Sequence, residues 1–383
     1  MSEYRFILGS SRCKLTFLTA FQTYLWIIIN ASNRQGGGST FAVITSITVK
    51  TFPTMPMPYL NVSISAAANS EAYWAAAAYL LPQYPSLINS GIFGYVLTGG
   101  SFPVSSSSFA ALYLGYFFAP NKSLSELVGA LTPLFEYINT TWPGQFTIIF
   151  DTYSYPDYYS WWSSAFSSDI GVGTDGLVAN RLLDADALSA PQETWIQTLK
   201  DITPPESFVD INVIAGPGVW HAVPSGGSDS IHPGWRKAYV EFGKFHRFSS
   251  ICSPYYMALL LFFTSCISRF PPPTGTNCKL TCHPKTVTSA NWPPLNATAE
   301  EQGENRLIYQ YTPPLAELAG PNAGCYINEA NPLEPDLPDV FWGPNYPRLL
   351  AIKKAVDPDD VFWCYACVGR EGWVEVGDQL CMV

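Results

Sequence analysis

Three glycines, Gly36, Gly37 and Gly38, run through Ser39 into an alternating stretch that ends at Pro53. Backbone without side chains ahead of a strand lets something bulky and charged come close. At the other end of the chain, Cys364-x2-Cys367 and Cys381 offer thiol chemistry. One Cys-x2-Cys lacks the second pair that a zinc site needs, and its setting is not a thioredoxin-like helix start. A structural disulfide between two of the three is therefore expected. Cys252, Cys266, Cys278 and Cys282, with His283, bear a superficial likeness to zinc ligands, but their wide gaps are not knuckle spacings and no metal is expected. His221 beside Trp220 has the type of a general base, although a lone histidine among aromatics is more often a packed one.

The elements that must position these groups belong to a folded chain. Of 383 residues, 13% are charged and 48% hydrophobic, which excludes a disordered polyampholyte and is enough for two or three domains' worth of core. A formal net charge of −10 repels phosphate backbones, so nucleic acid is set aside as a partner. Aromatics reach 15%, either as a large aromatic core or as a cleft for flat or sugar-like molecules. Sequons at Asn61, Asn121, Asn139 and Asn296 fit a secretory history, in which disulfides are permitted. Arg5, Arg12 and Lys14 ahead of the apolar run 15–29 mimic a signal peptide, but the run is too short and mixed for a membrane span. A secreted monomer is the expectation.

From Phe41 to Lys50 the pattern alternates as a strand, stopped by Pro53, Pro56 and Pro58. Strands follow at 59–67, 91–99, 109–120, 145–153 and 208–216, with helices at 70–84, 121–139 and 184–202 between them. Alternating strands separated by amphipathic helices predict an α+β fold, a single antiparallel sheet covered by helices on one face. From 242 to 299 there is neither Asp nor Glu, and residues 242–285, like 1–32, read as foreign-looking segments that pack poorly. Order returns with helix over 296–318, a short strand leading into a proline-rich turn over 324–336, and a helix over 345–358 that Asn345 can cap, with Pro347 in its first turn. Residues 361–373 read as a buried ending.

Several stretches then agree with one another. "GGGSTFAVITSITVKTFP" (36–53), "GCYINEANPLEPD" (324–336), "FWGPNYPRLLAIKKAVDPDDVFWCYACVG" (341–369) and the closing "LCMV" resemble the FAD-linked oxidases of the berberine bridge enzyme type, fungal branch. Residues 57–240, including "HPGWRKAYV" (232–240), are similar to that family's substrate domain. The resemblance implies an organisation of 1–32 as an atypical N-terminal segment, 33–56 as part of an FAD-binding domain, 57–241 as substrate domain, 242–289 as insert, 290–323 as the end of the substrate domain and 324–383 as the family's C-terminal segment. Parts of the α+β FAD-binding domain would thus lie at both ends.

The implied chemistry is hydride transfer from a small-molecule substrate to FAD, with a base to remove a proton. The resemblance places Gly36, Gly37, Gly38, Ser39 and Phe41 near the flavin. It carries Tyr326 and Asn328 over as flavin neighbours, and Glu329 falls where the family often has a tyrosine base. A carboxylate could serve there if burial raised its pKa, or Glu329 could be a solvated or capping acid. Ser39 and Ala42 stand where the family often has glycine. The family's FAD-binding domain lies mostly ahead of the glycine strand, so the chain as written is expected to lack most of it and not to hold FAD tightly. The alternative from another class is a non-catalytic remnant or an aromatic-lined binding module.

Overall fold

The computed structural model describes residues 40–42, 53–104, 108–165, 176–205, 207–222, 230–247, 290–291, 296–329, 331–376 and 379–383. The expectations for Gly36 to Ser39, for residues 43–50, for 1–32 and for the cysteines at 252–282 lie outside them.

In β1 (Met57–Ala67), Leu60, Val62 and Ile64 point one way while Tyr59, Asn61 and Ser63 point the other, the two-residue period of a strand. Ser70 then caps α1 (Glu71–Leu80), its Oγ accepting from the amide of Tyr73 at 3.1 Å. Pro82 interrupts the helix with a 3-10 turn before α2 (Tyr84–Asn89). After β2 (Phe93–Pro103) and β3 (Phe109–Phe118), a capping box of Ser123 and Glu126 starts α3 (Leu124–Thr141). β4 (Thr147–Tyr155) and the short α4 (Tyr158–Ala165) follow.

β5 (Gly176–Leu177) and β6 (Arg181–Leu183) lead to a helical stretch in two pieces, α5 (Ala185–Leu188) and α6 (Gln192–Ile202). The single helix expected over 184–202 breaks because Pro191 has no amide to donate and biases Ala190 out of helical conformation. β7 (Ser207–Val213), α7 (Pro217–Trp220) and β8 (Val240–Arg247) complete this part. β8 pairs with β7 and buries Phe242 completely, so the change of composition at residue 242 falls inside a sheet strand.

The seven strands pair antiparallel in the order β4-β1-β3-β2-β7-β8-β6. One face carries Leu60, Val62, Val96, Tyr113, Phe117, Val209, Ile211 and Phe242, and these share one core with Trp74 of α1, Leu131 and Phe135 of α3 and Trp195 of α6. The predicted antiparallel sheet with its three helical stretches on one face is therefore present. On the other face, Trp161 of α4 packs against Tyr59 and Phe118.

Tyr73 ties α1 to the sheet. Its hydroxyl lies 2.6 Å from Thr98 Oγ1, donates to the Leu112 carbonyl at 2.5 Å and accepts from the Gly99 amide at 2.9 Å, all buried. Tyr73→Phe keeps the ring but orphans these partners, and should lower stability by about 1–3 kcal/mol. A urea midpoint equal to that of wild type would show that the three contacts contribute nothing net.

The rest of the chain begins with β9 (Ala290–Asn291), which pairs with β5. α8 (Ala297–Arg306) runs through a π-helical turn at Leu307–Tyr311 into α9 (Thr312–Ala319). Pro313 and Pro314 cannot donate in the ladder, and Thr312 Oγ1 donates instead to the Leu307 carbonyl at 2.7 Å. α10 (Leu337–Trp342) and α11 (Tyr346–Val356) precede the ribbon of β10 (Trp373–Val376) and β11 (Gln379–Met382). Asn345 does not cap α11, because its side chain donates to the Ile231 carbonyl at 2.7 Å. The ending expected to be buried is mixed: Cys367 and Val368 are buried, whereas Val361 and Tyr365 are exposed. Cys364 and Cys367 form a disulfide, while Cys325 and Cys381 are free. Among the described residues no helix is long and apolar enough to cross a membrane.

Candidate functional site

The expected strand over 324–336 is instead a pinned loop with a 3-10 turn at Ile327–Glu329. Its backbone finds isolated partners rather than a strand: the Leu182 amide donates to the Gly324 carbonyl at 3.1 Å, and the Cys325 amide donates to the Val340 carbonyl at 3.0 Å. The turn brings Tyr326, Asn328 and Glu329 together. Asn328 Nδ2 donates to the Tyr326 hydroxyl at 3.0 Å. The Tyr326 ring stands edge-on to Trp235, with centroids 5.9 Å apart and planes at 83°.

This turn faces the side of the sheet opposite the helices. Tyr95 alternates with Val96, Asp210 and Asn212 alternate with Val209, Ile211 and Val213, and Glu241 lies between Val240 and Phe242, so all four project from that side. Register makes Tyr95 the neighbour of Asn212 and Asn212 the neighbour of Glu241. Asn212 Nδ2 donates to the Glu241 carboxylate. Burial first, and then the charges of Asp210, Tyr158, Glu329 and Glu241, push the Tyr95 phenol up to about 12. Glu329 thus shares an electrostatic neighbourhood with the sheet's far face. The phenol of Tyr326, the carboxamide of Asn328 and the carboxylate of Glu329 thus stand on one turn, with Glu329 in electrostatic reach of Tyr95.

Phe41 is buried with Cys325, Leu337, Phe341, Trp342 and Leu349, so its side chain packs the core of the C-terminal segment. The carbonyl of Thr40 accepts from Lys353 Nζ at 2.8 Å. The end of the glycine-rich stretch and the C-terminal segment therefore meet, as the resemblance implies for their neighbours. His221 is not packed; it is exposed at the end of α7.

Four residues that sequence reasoning left unassigned hold the site together. Buried Arg181 pairs with Glu334, and its Nη1 donates to the Asn180 carbonyl at 2.8 Å. Asn180 binds the backbone of the Tyr326–Glu329 turn. His232 is buried, and its Nδ1 accepts from the Gly234 amide at 2.9 Å. Burial lowers its pKa, against the opposing charge and backbone of Asp339. Lys353 is buried beside Asp357, four residues on. Only the last pair left a local signal, the i,i+4 spacing in "KKAVDPDD".

Comparisons with known proteins agree with this architecture. The model of the family described as berberine and berberine-like matches residues 325–368. An FAD-linked oxidoreductase of Gibberella fujikuroi is 28% identical over 91% of this chain and 53% of its own length. The chain spans about half the length of the curated relatives it matches. Among solved structures, a VAO-type flavoprotein from Myceliophthora thermophila is similar with a TM-score of 0.72 at 21% identity, covering 94% of this chain and 56% of that one. Berberine bridge enzyme from Eschscholzia californica is similar with a TM-score of 0.54 at 11% identity, covering 87% and 59%. The helix-covered sheet joined to this C-terminal segment is thus a fold of the VAO type. Within it, residues 325–368 are similar to the berberine and berberine-like family.

Proposed function

We propose that this protein is an FAD-linked oxidoreductase that takes hydride from an organic small molecule such as a sugar or a secondary metabolite. The observation that carries the reading is the Tyr326–Glu329 turn, which groups a phenol, a carboxamide and a carboxylate, the last in electrostatic reach of Tyr95 on the far face of the sheet. The names of the relatives support it. In this reading residues 57–241 and 290–323 are the substrate domain, and residues 33–56 belong with 324–383 on the cofactor side. The exposed sequons at Asn121, Asn139 and Asn296 support a secreted glycoprotein; Asn61, within β1, is half-buried between two strands.

The residues present fit a flavin. Because Asn328 donates to the Tyr326 oxygen, the Tyr326 hydroxyl keeps its own proton to donate, and the Asn328 carbonyl oxygen can accept. A donor beside an acceptor suits the mixed donor and acceptor edge of an isoalloxazine. Tyr326 and Asn328 would hold that edge, and bound FAD would supply hydride acceptance. Glu329 takes the substrate proton onto its carboxylate, and Tyr95, kept protonated by burial, donates a hydrogen bond to substrate oxygen.

Titrating the full chain with FAD should shift the flavin absorption bands, and Asn328→Ala should weaken the shift. With sugars and benzylic alcohols as substrates, Glu329→Gln should lower kcat by about 10²–10⁴-fold. Unperturbed flavin bands at excess FAD would overturn the cofactor assignment, and an unchanged kcat would remove Glu329 as base. A second reading, an aromatic-lined binding module, draws on the exposed Tyr153, Tyr158, Tyr159 and Trp162. Quenching of tryptophan fluorescence by oligosaccharide without any flavin signal would favour it.

A further inference from the structure

We infer that Asn180 is the positioning residue of the candidate site. The inference rests on the reading that the Tyr326–Glu329 turn carries the reacting groups. Asn180 lies at the entrance to β6, 1% exposed. A carboxamide offers two donors and an acceptor, and here they clasp both ends of the turn. Oδ1 accepts from the Tyr326 amide at 2.7 Å; Nδ2 donates to the Tyr326 carbonyl at 3.1 Å and to the Glu329 carbonyl at 2.6 Å.

The clasp is itself fixed. The Asn180 carbonyl accepts from Arg181, whose guanidinium is paired with buried Glu334, downstream of the turn. Gly243 of β8, at φ +131°, crosses so close that an added Cβ would lie 3.0 Å from Asn180 Cα and 2.6 Å from the Ala179 carbonyl oxygen. The Asn180 backbone therefore has little room to follow a loosened turn. Its side chain sets where Tyr326, Asn328 and Glu329 stand relative to Trp235 and the sheet. An aspartate in its place would keep the acceptor but lose both donated bonds, and an alanine would lose all three contacts.

Hydrogen exchange on the full chain tests the clasp directly. In Asn180→Ala, the Tyr326 amide should exchange about tenfold faster or more, with amides of β1 to β3 unchanged. In Asn180→Asp the Tyr326 amide should stay protected, because its acceptor remains. A purely structural role would leave the flavin signal alone, so FAD itself is the second probe. Its absorption shift should report affinity weakened about tenfold in both variants, including the one that keeps the amide protected. Unchanged Tyr326 exchange in Asn180→Ala overturns the inference, as does wild-type FAD affinity in both variants. If Asn180→Ala unfolds, the near-isosteric Asn180→Asp still decides through the flavin signal. An absent flavin shift in the wild type would defeat the proposed function instead, and the exchange of Tyr326 would then decide by itself whether Asn180 holds the turn.

Discussion

Gly324→Ala should destabilise the protein by about 2–5 kcal/mol, from a left-handed backbone that costs about 1–2 and overpacking that costs about 1–3. Gly324 has φ +69°, and an added Cβ would lie 2.2 Å from His232 Nδ1 and 2.3 Å from its Cγ. The ring cannot retreat. Its Nδ1 holds the Gly234 amide, and on the other side Gly343, at φ +53°, approaches so closely that a Cβ there would lie 2.8 Å from Nε2. Gly320 supplies the control: its φ is +80°, and a Cβ would meet nothing within 4 Å. Gly320→Ala should therefore show the backbone cost alone. Urea midpoints report both losses, and a Gly324→Ala loss no larger than the backbone cost of about 1–2 kcal/mol would mean that the fit around His232 contributes nothing.

The same cage makes a pH prediction. Burial lowers the pKa of His232 in the folded chain, although Asp339 opposes the shift. The unfolded chain binds a proton near the ordinary histidine pKa of about 6.5. Its contribution to stability is thus full above that value and falls as pH drops below it, until the lowered folded pKa is passed. His232→Asn should flatten the decline of stability as pH falls below about 6.5. An equally steep decline in that variant would assign the effect to other groups.

Lys353→Met is the second large effect, a loss of about 3–5 kcal/mol. Lys353 is 1% exposed and its ammonium serves several partners at once. It donates to Asp357 Oδ2 at 2.5 Å, to the Thr40 carbonyl at 2.8 Å and to the Phe362 carbonyl at 3.0 Å, with Asp360 at 3.8 Å. Methionine fills the space but leaves a buried carboxylate and two carbonyls behind. The double variant Lys353→Met with Asp357→Leu removes the stranded charge and should regain part of the loss, the rest going to the Val361 and Phe362 amides that lose their acceptor. Burial works against ionised Asp357, but the hydrogen bonds from Lys353, Phe362 and Val361 outweigh it, and its pKa lies below the usual carboxylate range. Its contribution is present above the unfolded pKa of about 3.9 and is lost as pH falls through the lower folded value. The double variant should lack this acid-side loss. If Lys353→Met alone matched wild type in its urea midpoint, the idea that this pair anchors Thr40 would fail.

Which elements form was largely written in local pattern. β1 and β7 show alternation, Ser70 and Ser123 mark helix starts, and Pro191 marks a break that the pattern alone did not make plain. These signals act within a few residues, where backbone geometry and capping decide. The antiparallel, helix-covered sheet followed from them. The start of the stretch 324–336 reads as a short strand, but a local run does not say whether a partner strand exists. Here no strand lies alongside among the described residues. A carboxamide 146 positions away in sequence takes up the backbone instead.

Local pattern specifies the sheet, its helices and the residue types available at the site. The tertiary structure alone decided which of them act together. Asn180 reaches Tyr326, Lys353 reaches Thr40 across 313 positions, and His232 fits among Gly234, Gly324 and Gly343. Each is a buried polar group that would be costly without its partner, so the chain must bring the partner to it. That demand is satisfied by whichever segment the fold places nearby, and no periodicity within either segment records the pairing.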